Sequence, residues 1–363
     1  MTKTIRKQLS LFFSLFVFIL LGCTATTTKH QDVDIYVGTR GLTAEFSKTA
    51  PPPRVFEDSN FPILLRIRNI GAYSIASDKQ PSSDKQTLGV INIGREKDYI
   101  PKLSFEKNSR ASEGEGDNEI FFSLDGKSQL NQNGDEIAVA LNAKTGKLEP
   151  QSESKQSTIT ATLCYPYKTI LSTTVCIDPD VSGISPEKKV CTVKELNFNS
   201  GQGAPIAVVK IEPQMIPEGD SIKPQFLIFV EDKGNGNSVD IKNYHNVCSD
   251  SDFKNAEDPN RKKEIKNIWK VAFLRAFRSG EEGKNQLICC PNIEGKCPTD
   301  LSDKDKITGF IRFTDKKGFV RCTFKDGLSK NYNAFTSPLK IEIEYGYVQT
   351  ISTNFIIQKP LKY

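Results

Sequence analysis

"CYPYKTILSTTVCI" (164–177) and "EYGYVQTISTNFII" (344–357) align without a gap at an offset of 180 residues. Tyr165 matches Tyr345, Tyr167 matches Tyr347, Ser172 matches Ser352, Thr173 matches Thr353 and Ile177 matches Ile357. Upstream, "ILLRIRNIG" (63–71) stands over "FLIFVEDKG" (226–234), apolar on apolar and ending in a polar residue, one more residue and glycine. Both pairs occur in the same order. A period this long marks a duplicated domain rather than a solenoid.

Each repeat reads as strand. Ile159, Ala161, Leu163, Tyr165 and Tyr167 alternate with Thr160, Thr162, Cys164 and Pro166; Leu339, Ile341, Ile343, Tyr345 and Tyr347 alternate with Lys340, Glu342, Glu344 and Gly346. Period two with one apolar row describes a half-buried strand. The Lys-x-Glu-x-Glu row belongs in water. A hairpin reversing at Ile170 sets Cys164 opposite Cys176 and predicts a disulfide between them; Cys176 with Cys191 is the rival pairing. The four tyrosines read as core, with hydroxyls tying down loops, rather than as a binding platform.

Further strands are expected near 33–46, 61–70, 88–94, 119–124, 136–142, 206–212, along QFLIFVEDKGNGNSVDI (225–241), and near 269–277, 286–290, 307–313, 318–324, 339–347 and 351–357. Turn-rich segments such as NQNGD, KTGK and PEGD separate them. One helix is expected, with Asp258 as N-cap and Pro259 in its first turn. Many short strands with little helical periodicity predict an all-β fold. The expectation is two tandem immunoglobulin-like β-sandwich domains, 33–180 and 205–363, joined by a linker at 181–204.

The N-terminus carries Lys3, Arg6 and Lys7, then the apolar run LSLFFSLFVFILL (9–21). Thirteen residues are too few to span a ~30 Å hydrocarbon core and suit a signal-peptide core. Leu20-Leu21-Gly22-Cys23 resembles the lipobox of prokaryotic lipoproteins. That resemblance implies cleavage after residue 22, a diacylglyceryl group on Cys23, a tether over 23–32 and a membrane partner reached through lipid. Taking the three signal basics from 49 basic against 44 acidic residues leaves a formal +2. So near-neutral a balance gives no electrostatic case for nucleic acid.

Setting Cys23 aside, eight cysteines remain: Cys164, Cys176, Cys191, Cys248, Cys289, Cys290, Cys297 and Cys322. An even count in an exported chain reads as disulfides, and the spacings lack a zinc knuckle. Three fall before the domain boundary and five after it. Either one bridge crosses the boundary, or Cys191 serves the second domain, or one thiol is free.

GTRGLTAEF, APPPRV, FPILLRIRNIGA, CYPYKT with VCIDPD, GQGAPIAV and PLKIEIEYGY resemble a group of uncharacterised archaeal surface proteins. The resemblance implies exported or lipid-anchored chains with tandem β-sandwich modules, and no activity.

The catalytic inventory is thin. His30 lies in the tether, and His245 lies near Cys248 in NYHNVC, where a nucleophile–base pair competes with a disulfide. Gly126-Lys127-Ser128 lacks the first glycine of a phosphate loop, and Asp300, Asp303 and Asp305 lack calcium-loop spacing. The expectation is no enzyme, no cofactor and no metal. The chain is read as a non-catalytic surface protein for adhesion or for binding a protein or glycan ligand. Alternatives are a structural component of the envelope or a surface assembly, with self-association, and a secreted hydrolase with distant paired carboxylates.

Overall fold

Strands make up nearly all the regular structure. The computed structural model describes residues 34–76, 87–106, 108, 110–114, 118–184, 188–249, 259–278, 287–290 and 309–360. In chain order the first half holds β1 (Leu42–Phe46), β2 (Arg54–Phe56), β3 (Asn60–Asn69), β4 (Gly89–Gly94), β5 (Lys102–Phe105), β6 (Ala111–Glu113), β7 (Glu119–Phe122), β8 (Glu136–Lys144) and β9 (Ser154–Ile177). There follow β10 (Leu196–Asn197), β11 (Ile206–Glu218), β12 (Ser221–Asp232), β13 (Asn237–Val239), α1 (Tyr244–Ser249), α2 (Pro259–Ile268), β14 (Val271–Arg278), β15 (Ile288–Cys290), β16 (Gly309–Arg312), β17 (Lys317–Thr323), β18 (Leu328–Ser329) and β19 (Phe335–Gln358).

The hairpin expected at Ile170 does not form. β9 and β19 are continuous strands of 24 residues each. A tight reversal needs residues at positive φ, and none between 154 and 177 has one. Along an unbroken strand Cys164 and Cys176 stand about 40 Å apart, so they do not bond. The two repeat strands instead pair with each other, antiparallel, from Phe335↔Ile177 to Gln358↔Ser154. At the middle, Pro166 faces Gly346, its own equivalent at the 180-residue offset. The duplication is therefore arranged about a local twofold axis through that rung.

The axis organises the sheets. The central one runs β16-β14-β19-β9-β4-β7-β6, with the axis between β19 and β9. Each half also builds a smaller sheet, β1-β3-β8-β5 in the first and β10-β11-β12-β17-β15 in the second. These pack face to face on the central sheet as all-β sandwich layers. In the first lobe, Phe61 of β3 meets Phe355 of β19 with ring centroids 5.1 Å apart. The facing layer of each lobe thus contains strands from both halves, and Asp34–Tyr363 forms one compact unit.

One apolar core runs through both lobes, with Ile63, Leu65, Ile67, Val139, Leu163, Ile228, Val320 and Ile341 all buried. Each such side chain contributes about 1.5–3 kcal/mol. The row expected to face water departs from that reading. Glu342 is buried, with Lys168 at 3.0 Å, Lys340 at 2.7 Å and Arg275 at 3.3 Å. Cys164 is also buried, because α1 packs across the outer face of β9 there. Helix α2 begins at Pro259; its expected cap, Asp258, lies outside the described residues.

Candidate functional site

Four tyrosines surround the axis. Rings of Tyr165 and Tyr347 lie 5.8 Å apart, Tyr167 and Tyr345 6.4 Å, Tyr165 and Tyr167 5.7 Å, and Tyr345 and Tyr347 6.2 Å. All four are buried. Their hydroxyls do the tying expected from sequence, and they do it symmetrically. Tyr167 donates to Asn69 Oδ1 at 3.0 Å, and Gly71 N–H donates to that same oxygen at 3.2 Å. Tyr347 donates to Asp232 Oδ1 at 2.9 Å, which also takes the Gly234 N–H at 3.1 Å. Asn69–Gly71 and Asp232–Gly234 are the residues matched in the upstream repeat. Both glycines are needed by close approach: a Cβ at Gly71 would lie 1.9 Å from Tyr167 Oη, and one at Gly234 2.1 Å from Tyr347 Oη.

Burial pushes the hydroxyl pKa of all four tyrosines upward. Burial also raises the Asp232 carboxyl above its ordinary value, although Tyr347 and Gly234 donate to it and Lys316 lies nearby.

The symmetry breaks at one place, and there a cleft opens. Its volume is about 340 Å³, and it lies between Arg40–Glu45 on β1, Gln349–Ile351 on β19, and Pro205, Gly234 and Asn235 from the second half, against Tyr165 and Tyr347. Arg40, Glu45 and Asn235 are exposed at its rim and Gln349 is half-buried there. The equivalent place across the axis is closed. Thr169 there donates to Ile206 O at 2.6 Å and meets Tyr345 Oη at 3.0 Å, and Ile206 N–H reaches the same hydroxyl at 3.4 Å. Gln349 replaces Thr169 on the open side. Among the described residues, Tyr165 has no hydrogen-bond partner for its buried hydroxyl, which sits beside the Leu42 backbone outside bonding geometry.

The edge strands differ in the same sense. In the ladders with β3 and β12, β1 and β11 are equivalents: Leu42 opposes Asn69 as Ile206 opposes Asp232. The outer edge of β11 is covered. Leu196 and Asn197 of β10 pair with Ile211 and Lys210, and Phe198 N–H donates to Val209 O at 2.9 Å. The Gln202 side chain clamps Val208 from both sides, accepting its N–H at 2.9 Å and donating to its carbonyl at 3.2 Å. Among the described residues nothing does this for β1. A second hollow of about 330 Å³, bounded by Thr43–Glu45, Arg66, Arg68, Ile70 and Glu136, lies on its other flank.

The sequence-predicted residues are distributed as follows. Cys164 bonds Cys248, Cys176 bonds Cys191 and Cys289 bonds Cys322, with Cα separations of 5.9 and 5.8 Å for the first two. The predicted Cys164–Cys176 pair is replaced by its rival and by a bridge that crosses between the halves. Cys290 is also disulfide-bonded. Cys23, Cys297, His30, Asp300, Asp303 and Asp305 lie outside the described residues. With Cys248 oxidised, no thiolate is available to pair with His245. His245 stacks on Phe121 at 5.5 Å, and its Nε2 is 3.6 Å from Glu119 Oε1. Ser249 donates to that same carboxylate oxygen rather than to the imidazole, so no nucleophile–base pair is set up. Gly126 lies in a loop, where its N–H donates to Ser74 Oγ at 3.0 Å. Among the described residues, no three His, Cys, Asp or Glu side chains converge as a metal site, and no helix is long and apolar enough to cross a membrane. Disulfides of this number belong to an oxidising compartment.

No protein-family model matches the chain, and no curated protein matches it. Among solved structures, the chain is similar to the C-terminal domain of the Streptococcus pyogenes antigen I/II-family protein AspA. The match has 8% sequence identity, covers 89% of this chain and 98% of that one, and has a TM-score of 0.19.

Proposed function

We propose that the chain is a non-catalytic protein of the outer cell surface, held by lipid on Cys23, that binds a protein or glycan ligand in the cleft beside β1. The observation that carries this reading is the asymmetry. A duplicated fold with matched tyrosines, matched glycines and matched hydrogen bonds has closed this place in one copy and left it open in the other. The open copy presents a charged and amide-bearing rim, Arg40, Glu45, Asn235 and Gln349, over a rigid aromatic floor. A few polar groups over an apolar base is the composition of a recognition site. The cystine pairs support an exported location, and the lipobox resemblance supports the anchor.

The test uses intact cells and cross-linking to the full chain, comparing the natural protein with Gln349→Trp, which fills the cleft from the tyrosine face of β19, and Arg40→Glu, which inverts its rim. Arg40 is exposed and Gln349 half-buried at the mouth of the cleft, and an unchanged melting temperature confirms that each variant is folded. Loss of cross-linked partner in both variants supports the reading; unchanged capture refutes it. For the anchor, Cys23→Ala moves the protein from the membrane fraction to the soluble one, and retention on membranes overturns that part.

A further inference from the structure

We infer that the free edge of β1 is an acceptor for an extended peptide strand of a partner protein, with apolar residues at alternate positions. The inference rests on the binding role proposed above and names its ligand class.

Backbone geometry defines what the edge offers. Gly41, Thr43, Glu45 and Ser47 face β3: Ile70 N–H bonds Gly41 O at 2.9 Å, and Ser47 N–H bonds Leu64 O at 2.8 Å. Leu42, Ala44 and Phe46 therefore turn their amides and carbonyls away from the sheet. Among the described residues, Ala44 and Phe46 have no backbone partner on that side. An unpaired edge of this kind is a template for another strand.

The second half shows what fits. There the groups equivalent to those of Ala44 and Phe46 are taken by Gln202 and by the extended run Leu196-Asn197-Phe198. Leu196 and Phe198 pack on the core while Asn197 stays exposed. The incoming chain is apolar–polar–apolar and contributes its main chain to the ladder. Beside β1 the hollows of about 340 and 330 Å³ flank the edge on its two faces. Side chains of an added strand alternate between such faces, so two hollows suit one strand. Peptide backbone is the ligand chemistry that satisfies the Ala44 amide and carbonyl together, as Gln202 does for Val208.

The edge also permits a clean test. Proline is tolerated on edge strands when its nitrogen faces outward. Ala44→Pro removes the outward donor and leaves the bonds to β3, which come from Thr43 and Glu45. The probe is a fluorescein-labelled peptide of sequence VKELNFNS, residues 193–200, added to the full chain in detergent and read by anisotropy. Hydrogen exchange at Ala44 and Phe46 is measured in parallel. Saturable binding, slowed exchange at those two amides, and at least tenfold weaker binding to Ala44→Pro support the inference. Equal binding to Ala44→Pro, or absence of binding with unchanged exchange, overturns it. Protection of the two amides that appears with protein concentration alone, together with a dimer on sedimentation, assigns the edge to a second copy and overturns it. So does protection lost when residues 1–33 are removed, which assigns the edge to the chain's own N-terminal segment. If cell-surface capture survives in Ala44→Pro but not in Gln349→Trp, the strand inference fails while the binding role stands.

Discussion

Replacing Tyr347 with phenylalanine removes one oxygen from the axis, and the two halves make its cost comparable with an internal control. Tyr347 Oη donates to Asp232 Oδ1 at 2.9 Å and accepts from Gly236 N–H at 2.9 Å. A hydrogen bond to a charged group is worth about 1.5–3 kcal/mol, and a buried donor left without an acceptor costs about 1–3 kcal/mol. These overlap, so the expected loss is about 3 kcal/mol at neutral pH. Tyr167→Phe removes the equivalent oxygen in the other half, but its partner is neutral. Asn69 keeps Gly71 N–H on Oδ1 and still donates from Nδ2 to Tyr73 O at 2.8 Å. That loss is expected near 1 kcal/mol. The comparison also has a pH signature. Asp232 has a folded-state pKa above the ordinary carboxyl value of 3.8, chiefly through burial. Such a group favours folding while protonated, below the unfolded pKa, and that contribution is lost as pH rises through the folded one. Removing the Tyr347 donor raises the folded pKa further. The penalty of Tyr347→Phe is therefore greatest at pH 7 and shrinks on acidification toward pH 4, whereas that of Tyr167→Phe stays flat. Equilibrium urea unfolding, followed by circular dichroism and by the single tryptophan, Trp269, measures both. An equal cost for the two variants, or a Tyr347→Phe penalty independent of pH, refutes the reasoning. Asp232→Asn, which copies the first half, abolishes the pH dependence.

Peptide mapping without reduction is expected to recover Cys164 with Cys248, Cys176 with Cys191 and Cys289 with Cys322; a Cys164–Cys176 peptide contradicts the fold of β9. Removing Cys176 and Cys191 together, by serine, is expected to cost about 3 kcal/mol for a loop of this length, measured by urea unfolding. Gly71→Ala places a methyl group 1.9 Å from Tyr167 Oη and 2.5 Å from the Gly203 carbonyl. Because one of these is backbone, the cost is expected at the upper end of overpacking, about 3 kcal/mol; a melting temperature within one degree of the natural protein's contradicts that packing. Burial works against the charged form of Glu342, but Lys340 and Lys168 outweigh it and hold its pKa below the ordinary carboxylate value of 4.5. Its contribution is present above that pH and is lost on further acidification. Glu342→Gln is expected to cost about 2–3 kcal/mol at pH 7 and to flatten the acid limb of stability between pH 5 and 3; an unchanged acid limb contradicts this.

Where one face of a strand packs and the other is wet, the alternation was readable. Strands over 60–69, 136–144 and 271–278 follow from period two, and the tyrosine row was rightly given to the core. Length was harder to read. Pro166 and Gly346 look like interruptions, yet they oppose each other in mid-strand, and β4 pairs with β9 only from Thr160 to Cys164. Among the described residues, Pro166 therefore meets no strand on that side. Pairing between the two repeats has no local signature at all, because it depends on residues 180 apart. The odd cysteine count in each half did carry a signal, and the Cys164–Cys248 bridge answers it. The cleft was not visible as a motif, since its rim comes from β1, β19 and two loops. Setting GTRGLTAEF (38–46) over QGAPIAVVK (202–210), as the strand equivalence requires, does show a hint: Gln202, which closes the second edge, stands over Gly38, which has no amide side chain.

The long central pairing also sets an order of events as the chain emerges. β9 is complete by residue 177, but its partner is the last strand of the chain, and β2 from the beginning pairs with Ile356–Gln358 at the end. A chain threaded across a membrane from its N-terminus exposes the apolar row of β9 long before β19 emerges. Neither lobe can close its layer until β19 has emerged. Unprotected strand of that kind is prone to aggregate, so a factor that holds β9 for the interval between the two emergences would favour correct folding.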